Sequence, residues 1–281
     1  MNSLIIEIVA VGAYISSAFL LAKESLNEQS RPTPIYIAWL ATLAHASVLC
    51  MHFLHTQGFN FGFFNIASLI SCLVSLLLLI AAINKPVKKL GIALFPIAAI
   101  MLTLNHLFLH LTQPTQAYTT SMHLHILTSI IAFSLLNIAA LQAIMLAIHE
   151  QQLRNHPPKH FILHLPPLQT MESLLFQMIG TGMIFLSLSL VSGFIFIEDL
   201  FAQHLAHKTI LSILAWFIFS GLLFGRVRYG WRGKTAVKWT LSGFTLLLLG
   251  YFGSKLVLEL ILHTPAQLSI PTYPPLPQTP Q

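Results

Sequence analysis

The chain has 281 residues, of which 56% are hydrophobic and only 8% charged, with a formal net charge of +6. Soluble domains carry about 25% charged residues, so this composition excludes a soluble globular protein and describes a polytopic membrane protein. The positive charge therefore sets topology and does not signal nucleic-acid binding.

Residues 4–22 form an apolar span with one early acid, Glu7, and the first cation, Lys23, follows it. A signal peptide would open on a basic stretch, so an uncleaved helix with its N-terminus outside is expected. After the polar loop 23–34, a second helix covers about 35–54 and carries His45 and His52. A third covers about 63–83, and the loop NKPVKKLG brings three lysines to the inner side. The fourth, about 92–110, ends with His106 and His110, and the fifth runs from about His123 to Ile148. The longest loop, roughly 149–173, has two Pro-Pro pairs and is not expected to be one continuous helix. Helix six covers about 174–197. Helices seven and eight flank the loop RVRYGWRGKTAVK, which holds Arg226, Arg228, Arg232, Lys234 and Lys238.

The resulting expectation is an all-α integral membrane protein, a single bundle of about eight transmembrane helices over 1–262 with both termini outside. Six prolines make the tail 263–281 extended and poorly ordered. Twelve of the fourteen Lys and Arg fall in the inner loops; only Lys208 lies in an outer loop, and Lys255 sits within helix eight. The lipid bilayer is the one partner that composition alone implies.

Ten of the fourteen histidines lie in the outer half or the outer loops: 45, 52, 55, 106, 110, 123, 125, 204, 207 and 263. His149, His156, His160 and His164 are expected on the inner side. Imidazole ligates metals and haem iron, but histidines at helix ends also serve as interfacial polar residues. A divalent-cation site would want Asp or Glu beside the histidines. Only Glu7 and Glu259 are expected within the membrane, and Glu259 can pair with Lys255. An acid-poor, histidine-rich half with twenty phenylalanines in the chain suits a flat apolar ligand such as haem better than a bare cation. Lys208 and Lys255 are the outer cations that could meet its two propionates, although Lys208 also reads as a plain interfacial lysine. Cys50 and Cys72 form no Cys-x-x-Cys and no Cys-x-x-Cys-His. That argues against a thiol-redox pair and against covalently attached haem, and leaves two buried structural thiols. No nucleotide loop, nucleophile–base constellation or metal-hydrolase motif is present, so a non-enzymatic protein is expected.

The segment from Leu211 to Lys255, with Gly230-Trp231-Arg232-Gly233 and Tyr251-Phe252-Gly253, resembles the closing helices of the cytochrome c assembly proteins of the CcsA/CcmC haem-handling type. It is similar to their YpjD-like branch, small inner-membrane proteins with about eight spans. The helix HLHILTSIIAFSLLNIAALQAIML and the segment from Pro166 to Phe196 extend the resemblance, which is strongest over 120–255. It implies a bacterial multi-pass inner-membrane protein that handles haem and assists cytochrome c assembly, with other cytochrome-maturation membrane proteins as partners. The family's helix-five histidine is kept as His125 or its neighbour His123, and His45 matches an intramembrane histidine of the branch. The tryptophan-rich outer motif is replaced by Ala206-His207-Lys208-Thr209, and the histidine late in helix seven falls on Phe224. The family's final outer histidine falls beside His263. Haem handling therefore carries over more readily than delivery of haem to an apocytochrome.

On this reading His125 is an axial ligand of haem iron, with His207 as the second ligand and His45 as a deeper alternative. Two imidazoles would give a six-coordinate low-spin iron. The competing readings are a membrane scaffold or regulatory subunit that keeps the fold without haem, and a small-solute or metal transporter.

Overall fold

The computed structural model describes residues 2–27, 31–56, 62–108, 120–154, 167–196 and 206–253. Among them are eight α-helices and no strand: α1 (Asn2–Asn27), α2 (Thr33–Thr56), α3 (Phe63–Asn84), α4 (Gly91–Leu107), α5 (Thr120–Arg154), α6 (Leu168–Phe196), α7 (Ala206–Tyr229) and α8 (Gly233–Leu248). A 3-10 turn, Lys88–Leu90, leads into α4, and a π turn, Leu249–Gly253, closes α8.

Helix is the only open structure that satisfies its own backbone in hydrocarbon. Helices α1 to α7 are long and apolar enough to cross a bilayer. The α-helical part of α8 is 16 residues, which the π turn lengthens. Polar residues inside the spans return their hydroxyls to the preceding turn. Thr42 donates to the Ala38 carbonyl at 2.9 Å, Ser75 to Ser71 at 2.9 Å and Thr240 to Ala236 at 2.7 Å. Large apolar side chains such as Phe19, Leu43 and Phe217 are exposed and form the lipid-facing surface.

The bundle is built from two groups of helices. Helix α1 packs on α2 and α4, with α3 behind α2 and α4, while α5 packs on α6 and α8, with α7 against α6 and α8. The α3–α5 contact joins the groups. At the seam the fully buried Phe133 of α5 lies 4.9 Å from the Tyr251 ring and 5.7 Å from Phe252, and Phe252 in turn lies 5.3 Å from Phe63 of α3.

Several boundaries differ from the sequence expectation. Helix α5 continues to Arg154 and α6 begins at Leu168, so the predicted loop 149–173 is helical at both ends. A Pro-Pro pair stops a helix only where it stands, and a proline suits the position just before a first turn. The Pro167 carbonyl accepts the N–H groups of Thr170 and Met171, which starts α6 six residues earlier than predicted. His149, expected in a cytoplasmic loop, is instead a buried helical residue with Nδ1 3.3 Å from Met171 Sδ. Glu172 likewise becomes a buried residue of α6.

That carboxylate closes the end of the bundle opposite His125. Arg232 Nε donates to Glu172 Oε2 at 2.9 Å and the Gly233 N–H donates to Oε1 at 2.8 Å. Gly230 and Gly233 have φ of 67° and 51°, the left-handed region that glycine adopts without a steric penalty. Lys88 pairs with Glu24 at 3.2 Å at the same end.

Candidate ligand cavity

A cavity of about 960 Å³ opens where the ends of α2, α3, α5, α6 and α7 meet the π turn after α8. Its wall is mainly apolar, with Leu69, Leu73, Ile126, Leu190 and Phe252 among the lining residues. The size sits at the upper end of the roughly 300–1,000 Å³ typical of small-molecule and cofactor sites. The polar residues of the wall include His123, His125, Ser129, Ser189, Lys208 and Thr209.

His125 is the best-defined of these. Its Nδ1 stands 3.0 Å from the Ser189 carbonyl oxygen and 3.1 Å from Ser192 Oγ, both on α6. A carbonyl can only accept, so in the neutral ring Nδ1 carries the hydrogen and Nε2 keeps the lone pair. This is the arrangement by which a ligating imidazole is held: one nitrogen donates to a fixed acceptor while the other binds. Gly193 lets the ring come close, because a Cβ there would stand 3.0 Å from His125 Cε1.

The π turn brings Gly250, Tyr251 and Phe252 to the cavity wall. Such turns recur at functional positions in helices. Ser129 donates to the His125 carbonyl at 2.7 Å and lies 2.5 Å from Ser189 Oγ. The serines of α6 were not singled out from the sequence. The available signal was three of them, 187, 189 and 192, inside one apolar span.

The other expected site residues are distributed differently. Lys208 lines the cavity, whereas its neighbour His207 is exposed on the first turn of α7 and is not part of the wall. His123 lines the cavity with His125. His45 is fully buried away from it, with Nε2 2.9 Å from Ser68 Oγ and Nδ1 3.4 Å from the Tyr14 hydroxyl. Both ring nitrogens thus have protein neighbours within the α1–α2–α3 packing. Cys72, expected to be buried, is buried, whereas Cys50 is exposed, and both thiols border the cavity. His106 pairs with Glu7 across α1 and α4 at 2.9 Å. Lys255, Glu259 and the tail 263–281 lie outside the described residues. Among the described residues, no group of three or more His, Cys, Asp or Glu could hold a metal ion.

An all-α bundle of spanning helices with an apolar cavity at one end defines a multi-pass membrane protein. The chain belongs to the cytochrome c assembly protein family, whose match covers residues 34–262. It is 32% identical over 263 residues to inner membrane protein YpjD of Escherichia coli strain K12, covering 90% of this chain and 98% of that protein. It is also 26% identical over 140 residues to the cytochrome c biogenesis protein CcsA of Chlamydomonas reinhardtii, covering 48% of this chain and 38% of that protein. An uncharacterised 28.8 kDa protein of Azospirillum brasilense is 30% identical over 141 residues, covering 50% of this chain and 52% of that protein. No solved structure matches the chain. The similarity to YpjD and the apolar helices assign the chain to the inner membrane as a multi-pass protein.

Proposed function

We propose that this chain binds haem in the cavity through His125 and assists cytochrome c assembly by ligation and presentation, without bond-making chemistry of its own. The observation that carries the reading is the His125 Nδ1–Ser189 carbonyl bond at 3.0 Å, which leaves an Nε2 lone pair on a ring of the cavity wall. Haem iron already has four porphyrin nitrogens, so one or two imidazoles complete its coordination. A bare divalent ion would need a fuller set of protein ligands.

His125 would hold the iron, and the aromatic and aliphatic wall would exclude water from the macrocycle. Lys208 would meet a propionate by charge-assisted hydrogen bonding. His123 is the second imidazole of the wall, while His207 would have to turn inward to serve. The cavity end is taken as the outer end, because the cationic loops gather at the other end. The cytochrome c biogenesis proteins among the relatives support maturation as the setting, with other maturation proteins of the membrane as partners.

The test is absorption spectroscopy of the purified protein and of His125→Ala, His123→Ala and His207→Ala. A Soret band that is lost in His125→Ala, with the variant still folded, is the expected result. Undiminished haem and an unchanged spectrum in His125→Ala would overturn the ligand assignment. A wild-type protein that never holds haem would favour a scaffold that keeps the fold without the ligand.

A further inference from the structure

We propose that Ser189 and Ser192 of α6 are positioning residues that fix the tautomer of His125 and so keep Nε2 available as the ligating atom. The inference rests on the reading of His125 as a ligand, but its central claim concerns the imidazole alone.

The Ser189 carbonyl favours one tautomer as long as it is held at this distance. If Nδ1 carried the lone pair, that lone pair would oppose a carbonyl oxygen at 3.0 Å, and two acceptors would face each other. Ser192 reinforces the choice. Its hydroxyl donates to the same carbonyl at 2.9 Å, which turns an oxygen lone pair toward Nδ1 at 3.1 Å. The His125 N–H is therefore shared between two acceptors. Removing the Ser192 hydroxyl leaves the carbonyl alone to hold it.

The Ser189 side chain sets the carbonyl's position. Its hydroxyl meets Ser129 Oγ at 2.5 Å, and Ser129 donates back to the His125 carbonyl at 2.7 Å. Ser129 donates its one hydrogen there, so the Ser189 hydroxyl is the donor in the serine pair. This clamp fixes α6 against α5 at the level of the histidine. Two helices thus bear on one imidazole. A packing role alone would not require the Ser189 carbonyl and the Ser192 hydroxyl to converge on one ring nitrogen.

Nitrogen-15 NMR of histidine-labelled, haem-free protein in detergent tests this, with the His125 signals identified by their loss in His125→Ala. Wild type is expected to show a protonated Nδ1 and an unprotonated Nε2. Ser192→Ala and the double variant S189A/S192A should move the ring toward a mixture of tautomers, and Ser192→Thr should restore the single form. Haem affinity should fall about 10–100-fold in the double variant, the range for loss of a partner that orients a ligating histidine. A wild-type ring protonated on Nε2, or a tautomer unchanged in a folded double variant, overturns the proposal whatever haem does. A fixed tautomer in a protein that binds no haem retains the positioning role and removes the haem reading.

Discussion

Glu172 of α6 accepts the Gly233 N–H at 2.8 Å, at the very start of α8. A helix begins with backbone donors that have no partner within it, and a side chain close in sequence commonly caps them. Here the cap comes from another helix, sixty-one positions earlier in the chain. The same carboxylate holds Arg232 at 2.9 Å. The basic loop between α7 and α8 is thus a folded latch as well as a candidate topology anchor.

Glu172→Ala should destabilise the protein by about 1–3 kcal/mol, the scale of a charge-assisted hydrogen bond and an uncapped donor. Glu172→Gln, which retains an acceptor, should cost less. Thermal unfolding in detergent ranks the two. Equal stability of wild type and Glu172→Ala would dismiss the latch.

Gly225 lies beneath the Trp231 ring, and a Cβ there would come within 2.3 Å of Trp231 Cε3. The Trp231 N–H also donates to the Gly225 carbonyl at 3.2 Å. Gly225→Ala must displace the indole and should cost about 1–3 kcal/mol, as overpacking does. Gly233→Ala meets a backbone penalty instead, about 1–2 kcal/mol at positive φ. In Gly225→Ala/Trp231→Ala the first cost should shrink. Strict additivity in the double variant would show that the indole is not the obstacle.

His45→Ala should lower stability and leave the haem content of folded protein unchanged. The substitution removes the partner of the Ser68 hydroxyl and one of two partners of the Tyr14 hydroxyl, which keeps Thr42 at 3.3 Å, at about 1–3 kcal/mol for the unsatisfied polar group. Spectra normalised to folded protein, together with melting curves, separate the two effects. Haem loss at unchanged stability would return His45 to the ligand set.

Topology reporters inserted after Gly233 and after Gln267 should read inside and outside, respectively, as the cationic loops require. An outward signal at Gly233 would reverse the bundle and with it the face on which the cavity opens.

Long apolar runs and their basic connections made the helices and the asymmetry of their ends legible in the sequence, and the quoted segments carried the family. Helix rotation was harder to read. His207 and Lys208 are adjacent, and about 100° of rotation between neighbours puts the lysine in the cavity wall and leaves the histidine exposed. Nothing local distinguishes them. Glu172 read as a loop residue because charge and two prolines surround it, yet its partners are Arg232 and Gly233, at the junction that opens α8. His45 lies in an apolar helix in either role, and only packing supplies Tyr14 and Ser68 on its two sides. The tautomer of His125 depends on a backbone carbonyl sixty-four positions away, which no side-chain pattern announces.

The cavity takes its wall from α2 and α3 on one side of the seam and from α5, α6, α7 and the π turn on the other. A molecule filling it binds only when both helix groups are docked, so occupancy and assembly are thermodynamically linked. At a ligand concentration 100 times the dissociation constant, that linkage contributes about 2.7 kcal/mol to the docked state. Loading would therefore act as a mortise between the halves, and a departing ligand would loosen the joint as it left.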